Sequence, residues 1–216
     1  NETNLLLNQR LLYGNLYMLG QYLQPLQAGG TDTFQRLPET GYSLRNVSLF
    51  NSPLLFGMEG DYVNFYREQG FGLNRVNVTP GLSTDVIDLG HVLGITPQAK
   101  FREVYYTRGA QSEDAIHRET FWAGADASSK LSRRFGLDGG GSLLHTIEPK
   151  VMYEYVPGTD QSKIAQIDQI DDLPKKNLLT YALRNRILEH DGNSTFNWLD
   201  LTVAQSYHAG AVQTRA

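Results

Sequence analysis

The sequence predicts an all-β chain: an antiparallel up-and-down meander of roughly ten strands, part of an outer-membrane β-barrel. Three observations predict it. Apolar and polar residues alternate with period two in segments of strand length. The breaks between those segments are alternately short and long. Aromatic residues gather beside both kinds of break. No stretch carries a helical i, i+3, i+4 stripe over several turns.

The clearest alternation runs over residues 73–83. Val76, Val78, Pro80 and Leu82 share one face, with Arg75, Asn77, Thr79 and Ser83 on the other. Residues 93–102 repeat it, setting Leu93, Ile95, Pro97, Ala99 and Phe101 against Thr96, Gln98, Lys100 and Arg102. A third copy sets Ile147, Pro149, Val151, Tyr153 and Tyr155 against Glu148, Lys150, Met152 and Glu154. Weaker versions cover 54–66, 121–131, 179–187 and 199–207. Short turns are expected at 14–15, 51–52, 83–90, 135–141 and 190–194. Longer loops are expected at 24–39, 68–72, 108–118 and 157–176. An up-and-down meander with unlike ends produces this rhythm, and in outer-membrane barrels the short turns are periplasmic and the long loops extracellular.

Aromatic placement agrees with that orientation. Tyr62, Phe65, Tyr66, Phe71, Tyr105, Tyr106, Phe121, Trp122, Tyr153 and Tyr155 lie beside long loops; Phe50, Phe56, Phe135, Phe196 and Trp198 lie beside short ones. Two such groups resemble the interfacial girdles of a membrane barrel. Pro80, Pro97 and Pro149 fall inside strands, where a ladder donor is lost, so bulges or weakened pairing are expected there.

Composition bounds the rest. The 216 residues suit one domain or a portion of a larger one. Mean hydropathy is -0.38, and no run approaches the roughly 18 apolar residues of a membrane helix. Barrel strands escape that test, because lipid-facing residues alternate with polar ones. The net charge of -4 argues against nucleic-acid binding. Cysteine is absent, so neither disulfides nor thiolate metal sites are available. The opening Asn1-Glu2-Thr3-Asn4 has no initiator Met and no signal-like segment, which suggests an excised piece.

Particular residues then point to a family. Thr33-Phe34-Gln35-Arg36-Leu37-Pro38-Glu39 resembles the LQRLPE element of the LptD family of lipopolysaccharide-assembly proteins. Ser52-Pro53-Leu54 followed by Glu59-Gly60-Asp61-Tyr62-Val63-Asn64-Phe65 is similar to its SPL…EYVNF strand. The most specific match is Thr146-Ile147-Glu148-Pro149, then Tyr153-Glu154-Tyr155-Val156-Pro157 and Asp160-Gln161-Ser162, which resembles the LEPR…YLYVP..DQS signature. The elements keep the family's order and spacing across residues 35–207. Leu183-Arg184-Asn185-Arg186-Ile187-Leu188 only partly matches the family's next element.

The resemblance implies residues 1–216 as a central part of a large transmembrane barrel domain, without the N-terminal jellyroll and without the gate strands. It implies transport rather than catalysis: a segment of the outer-membrane translocon that inserts lipopolysaccharide into the outer leaflet. Implied partners are an LptE-like lipoprotein in the lumen, lipopolysaccharide, outer-membrane lipids, and a periplasmic Lpt bridge acting through the jellyroll. The lumen-facing candidates are Glu59, Asp61, Arg75, Lys100, Arg102, Asp126, Lys130, Glu148, Lys150, Arg184 and Arg186. Their mixed signs suggest cross-strand ion pairs more than a selective ion filter. The alternatives are a porin or other passive channel, and a soluble β-sandwich whose Val76/Val78/Leu82 face packs on a second sheet.

No catalytic, cofactor or metal site is expected. The five histidines, His91, His117, His145, His190 and His208, have no ligand spacing such as HExxH. Asp160, Asp168, Asp171 and Asp172 lack the spacing of an EF-hand. Gly139-Gly140-Gly141 has no following Lys-Ser/Thr pair and reads as a turn. Ser142 and His145 are close in sequence, but they adjoin that turn at the short-turn end. A hydrolase is therefore disfavoured. Asn193-Ser194-Thr195 matches a glycosylation sequon of a kind that arises by chance.

Overall fold

The computed structural model describes residues 2–24, 33–192 and 194–209. It is all-β among them. The strands are β1 (Glu2–Arg10), β2 (Gly14–Leu23), β3 (Gln35–Ser48), β4 (Leu54–Tyr66), β5 (Leu73–Thr84), β6 (Ile87–Leu89), β7 (Leu93–Tyr106), β8 (Ile116–Ser128), β9 (Leu131–Gly136), β10 (Ser142–Val156), β11 (Lys176–Asp191) and β12 (Ser194–His208). They form one 12-stranded sheet in the order β1-β2-β3-β4-β5-β7-β8-β10-β11-β12, with β6 paired to β7 and β9 to β10. Every register the structure fixes is antiparallel and sequential, as in a meander.

The two strands beyond the expected ten come from interrupted arms. Carrying the β6 register (Ile87↔Ile95) two residues on places Asp85, in the gap between β5 and β6, opposite Pro97. The gap between β8 and β9 likewise faces Pro149: pairing stops at Lys150↔Ser128 and resumes at Ile147↔Leu131. Pro149 has no N–H to donate, but its carbonyl still accepts from Ser129 N at 3.0 Å. Pro80 breaks nothing, since β5 runs through it. A bulge does occur where Pro38, in a cis peptide with Leu37, shifts the β3 register between Arg36 and Glu39.

The connections alternate as expected, with adjusted bounds. Short ones are 11–13, 49–53, 90–92, 137–141 and the step from Asp191 to Ser194; long ones are 24–34, 67–72, 107–115 and 157–175. Residues 25–32 of the first long loop, and Asn193 of the sequon, lie outside the described residues. Gly14 and Asn15 belong to β2 rather than to a turn, which closes instead by Leu11 N donating to Gly14 O at 2.9 Å. The β6–β7 hairpin turns on Gly90 and His91, both at positive φ (68° and 59°), with Val92 N donating to Leu89 O at 3.4 Å.

Contacts divide the chain into two compact units. The first comprises residues 1–83, 99–122 and 156–175; the second comprises 84–98, 123–155 and 176–216. In the first, Val63, Phe65, Leu73, Val104 and Tyr106 form a buried cluster with Ile164 from the long loop 157–175. Ile167 and Ile170 pack on the same cluster, so three isoleucines spaced three apart turn one side of the loop toward the sheet. Burying each aliphatic side chain contributes about 1.5–3 kcal/mol. The second unit carries long cross-strand ladders, such as β11 on β12 from Leu178↔His208 to Asp191↔Ser194.

Alternation along the strands separates two faces. Val76, Val78, Leu82 and Phe121 of the first unit, and Val151, Tyr153, Leu183 and Leu201 of the second, remain exposed on the apolar face. Val76 and Val78 are 39% and 40% accessible, so among the described residues no second sheet packs on them. The described residues therefore give the sandwich alternative no support.

Three expected girdle aromatics are corrected. Phe65 and Tyr106 are fully buried on the charged face, because the loop 157–175 covers that end of the sheet and makes it apolar there. Trp122 also stands on the charged face, with Lys100 Nζ 5.9 Å from its ring.

Candidate functional site

The densest chemistry lies on the charged face of the first unit, under the loop 157–175. Arg75 on β5 is at its centre and is 1% exposed. Its Nη1 donates to Asp168 Oδ1 at 2.7 Å and to Asp171 Oδ1 at 2.9 Å; its Nη2 donates to Asp168 Oδ2 at 2.9 Å. Asp168 therefore receives a two-pronged grip, the geometry a planar guanidinium provides and an ammonium cannot. The ring of Phe65 lies 5.0 Å from the same guanidinium.

Both aspartates are bound from several sides. Asp171 is fully buried and also accepts the Tyr106 hydroxyl at 2.8 Å. Its Oδ2 takes the backbone N–H groups of Ile167 and Asp168, at 2.9 and 3.0 Å, which curls the loop around it. Arg36 on β3 joins Asp168 at 3.1 Å and Glu39 at 2.8 Å, and Tyr17 donates to Glu39 at 2.8 Å. Arg118 on β8 donates to the carbonyl oxygens of Asp171 (2.6 Å) and Ile170. Gln161 closes the base of the loop by exchanging two hydrogen bonds with Leu173.

Burial by itself would raise the Asp168 carboxyl. The hydrogen bonds and charge of Arg75, helped by Ile170 N–H and Arg36, outweigh it and hold the group below the ordinary carboxylate range. Such a network is costly to half-dismantle, because removing one partner leaves a buried charge unpaired.

The remaining charges of this unit follow the same face. Asp61 lies 3.8 Å from Arg75 and accepts Asn77 Nδ2 at 2.7 Å. Arg102 Nε donates to Thr79 at 3.2 Å, and Lys100 stands by Trp122. Glu59 is on β4 two residues from Asp61, in phase with it.

The candidates of the second unit form a separate, open array. Lys150 pairs with Asp126 at 2.9 Å. Glu148 lies 3.8 Å from both Lys130 and Arg184, and Arg184 grips Asp200 at 2.5 and 2.8 Å. Arg186 lies in phase with Arg184, opposite Asp200 in the register. An open depression of about 840 Å³ runs beside these charges, lined by Lys130, Lys150, Arg184 and the β6–β7 hairpin.

Sequence reasoning missed Arg36, Arg118, Tyr106, Asp168 and Asp171 as a set. Asp168 and Asp171 take guanidinium, hydroxyl and backbone partners rather than a metal. Among the described residues no cluster of three or more His, Asp or Glu could hold one. A signal was available: Val63, Phe65, Leu73, Val104 and Tyr106 are apolar residues in phase with charged ones, all toward the long-loop ends of their strands.

A single antiparallel meander, exposing an apolar face and backing it with a charged one, is built as the wall of a transmembrane β-barrel is built. The family model for LptD, LPS transport system D, matches residues 1–216, and the chain belongs to that family. Among curated relatives it is similar to the LPS-assembly protein LptD of Nitrosospira multiformis, 26% identical over 223 residues, which covers 88% of this chain and 24% of that protein. It is also similar to the LPS-assembly protein LptD of Methylococcus capsulatus, 26% identical over 210 residues, covering 82% of this chain and 19% of that protein. The chain thus spans about a quarter or less of the length of these relatives.

Proposed function

We propose that this chain forms part of the barrel wall of an outer-membrane lipopolysaccharide translocon, one that delivers lipopolysaccharide to the outer leaflet. The carrying observation is the two-faced sheet, exposed Val76, Val78, Val151 and Leu183 on one side and ionised pairs on the other, in a chain of the LptD family. The apolar face meets lipid. The charged face lines the lumen, where Glu59, Asp61, Arg75, Lys100 and Arg102, and separately Asp126, Lys130, Glu148, Lys150, Arg184 and Arg186, meet water, saccharide or an LptE-like lipoprotein. The periplasmic Lpt bridge acts through a jellyroll elsewhere in the full-length protein. The residues here bind and line; none is arranged to make or break a bond.

On this reading the long loops are extracellular, and the loop 157–175 lies over the lumenal face at its outer end. Its ionic latch keeps that part of the wall covered. Site-specific photo-crosslinkers in the full-length protein test the proposal. At Lys150 and Arg184 they are expected to capture lipopolysaccharide or the lumenal lipoprotein; at Val151 and Leu183 they are expected to capture neither. Equal capture from both pairs would refute the assignment of faces.

A further inference from the structure

On the apolar face of the second unit, a polar row crosses three neighbouring strands. Arg133 on β9 is the direct cross-strand partner of His145 on β10. His145 Nε2 lies 2.8 Å from Asn185 Oδ1 on β11. Glu148, three residues along β10 from His145, and Arg184, next to Asn185, pair on the opposite face, which puts this row among Leu131, Val151 and Leu183.

Arg133 is exposed, with its guanidinium 5.1 Å from the centroid of the exposed Phe135 ring. Nearby carboxylates are engaged elsewhere. Glu148 and Asp200 pair with Lys130 and Arg184, and Glu189 accepts the Trp198 indole N–H at 2.6 Å. Among the described residues no carboxylate pairs with Arg133.

Height along the strand decides what an uncompensated cation can do there. At mid-bilayer an arginine on a barrel's lipid face is strongly destabilising, but near the interface it is tolerated at little cost. Outward from His145, the same face of β10 carries Ile147, Pro149, Val151, Tyr153 and Tyr155. At about 3.3 Å per residue and a tilt of about 40°, the ten residues from Tyr155 to His145 rise about 25 Å, the height of a barrel's apolar band. The row therefore marks the lower edge of that band, level with headgroups. A guanidinium fork matches two phosphate oxygens. Because Asn185 Oδ1 is taken by His145, its Nδ2 is left to donate to a third.

We propose that Arg133, His145 and Asn185 form a phosphate-binding subsite for a glycerophospholipid at the short-turn edge of the apolar face. The subsite rests on the reading of that face as lipid-facing, and the test separates the two.

The full-length protein is purified in neutral detergent, and native mass spectrometry follows its adducts with dioleoylphosphatidylglycerol and with dioleoylglycerol, which lacks the phosphate. Phosphatidylglycerol is expected to be retained and dioleoylglycerol not; Arg133→Ala should lower the retained fraction about tenfold, and Arg133→Lys should restore part of it. Asn185→Asp, isosteric and therefore gentle on folding, should lower it as well by setting a carboxylate against the phosphate. Unchanged adducts in Arg133→Ala and Asn185→Asp, or equal retention of dioleoylglycerol, would overturn the subsite. Displacement by millimolar inorganic phosphate alone would instead assign a free-anion site and also overturn it. Quenching of Trp198 by brominated phosphatidylcholine, read as the difference from Trp198→Phe, reports the face independently. Its absence sinks the membrane reading, whereas quenching with unchanged adducts sinks the subsite alone.

Discussion

The two units use the same alternation and arrive at opposite electrostatics. In the first, the loop 157–175 covers the charged face, and Arg75 and Asp171 are 1% and 0% exposed. In the second, Lys150 and Asp126 keep 42% and 35% of their side-chain surface, and Arg184 and Glu148 keep 42% and 27%. Burial converts the first set into a latch whose members depend on one another. Exposure leaves the second set as cross-strand pairs that water screens. One pattern in the sequence therefore gives a closed and an open stretch of wall, and a single loop makes the difference.

The largest expected effect breaks the latch at its centre. Arg75→Met strands two carboxylates in a buried setting and is expected to weaken docking of the loop by about 3–5 kcal/mol. Hydrogen exchange of residues 160–172 in the folded full-length protein checks this, with faster exchange there and none in β11 or β12. Ile164→Ala attacks the apolar half of the same contact and is expected to cost about 2 kcal/mol, read in the same peptides. Similar exchange in both variants and the wild type would mean that the loop is held by something else.

Acid should loosen the same contact, and the sign follows from Asp168. Its carboxyl is held below its ordinary value when folded, so its contribution is complete above the unfolded value of about 4. That contribution is lost only as pH falls through the depressed folded value. Loop exchange, corrected for its intrinsic pH dependence, should stay flat from pH 7 to about 5 and rise below about 4. In Asp168→Asn that acid step should shrink. The smallest effect belongs to the open unit. Lys150→Ala should change barrel stability by less than about 1 kcal/mol, because both partners are more than a third exposed. A loss as large as that of Arg75→Met would erase the contrast between the units.

Much of the fold was legible because period two is a local property. Residues 73–83 show both faces of β5 without reference to any other strand, and the breaks opposite Pro97 and Pro149 follow from a missing donor. The latch was not legible in the same way. Arg75 and Asp168 are 93 residues apart, and Arg36 and Asp168 are 132 apart, so no window contains either pair. The loop's aspartates read in isolation as solvated acids. Only the phase change toward the strand ends, where Val63 and Phe65 follow Asp61 and Leu73 precedes Arg75, hinted that something apolar covers that face. Phe65 and Tyr106 were misplaced for that reason: aromatic identity suggested a membrane girdle, and phase put them inside.

The central claim is that one face of this sheet meets lipid and the other meets water. Spin labels placed singly along β10 of the full-length protein, at Lys150, Val151, Met152, Tyr153 and Glu154, test it most directly. The account predicts alternation with period two. Labels at Val151 and Tyr153 should be relaxed by oxygen dissolved in the bilayer, and labels at Lys150, Met152 and Glu154 by a water-soluble nickel chelate. Uniform accessibility along the five positions, or alternation in the opposite phase, would contradict it.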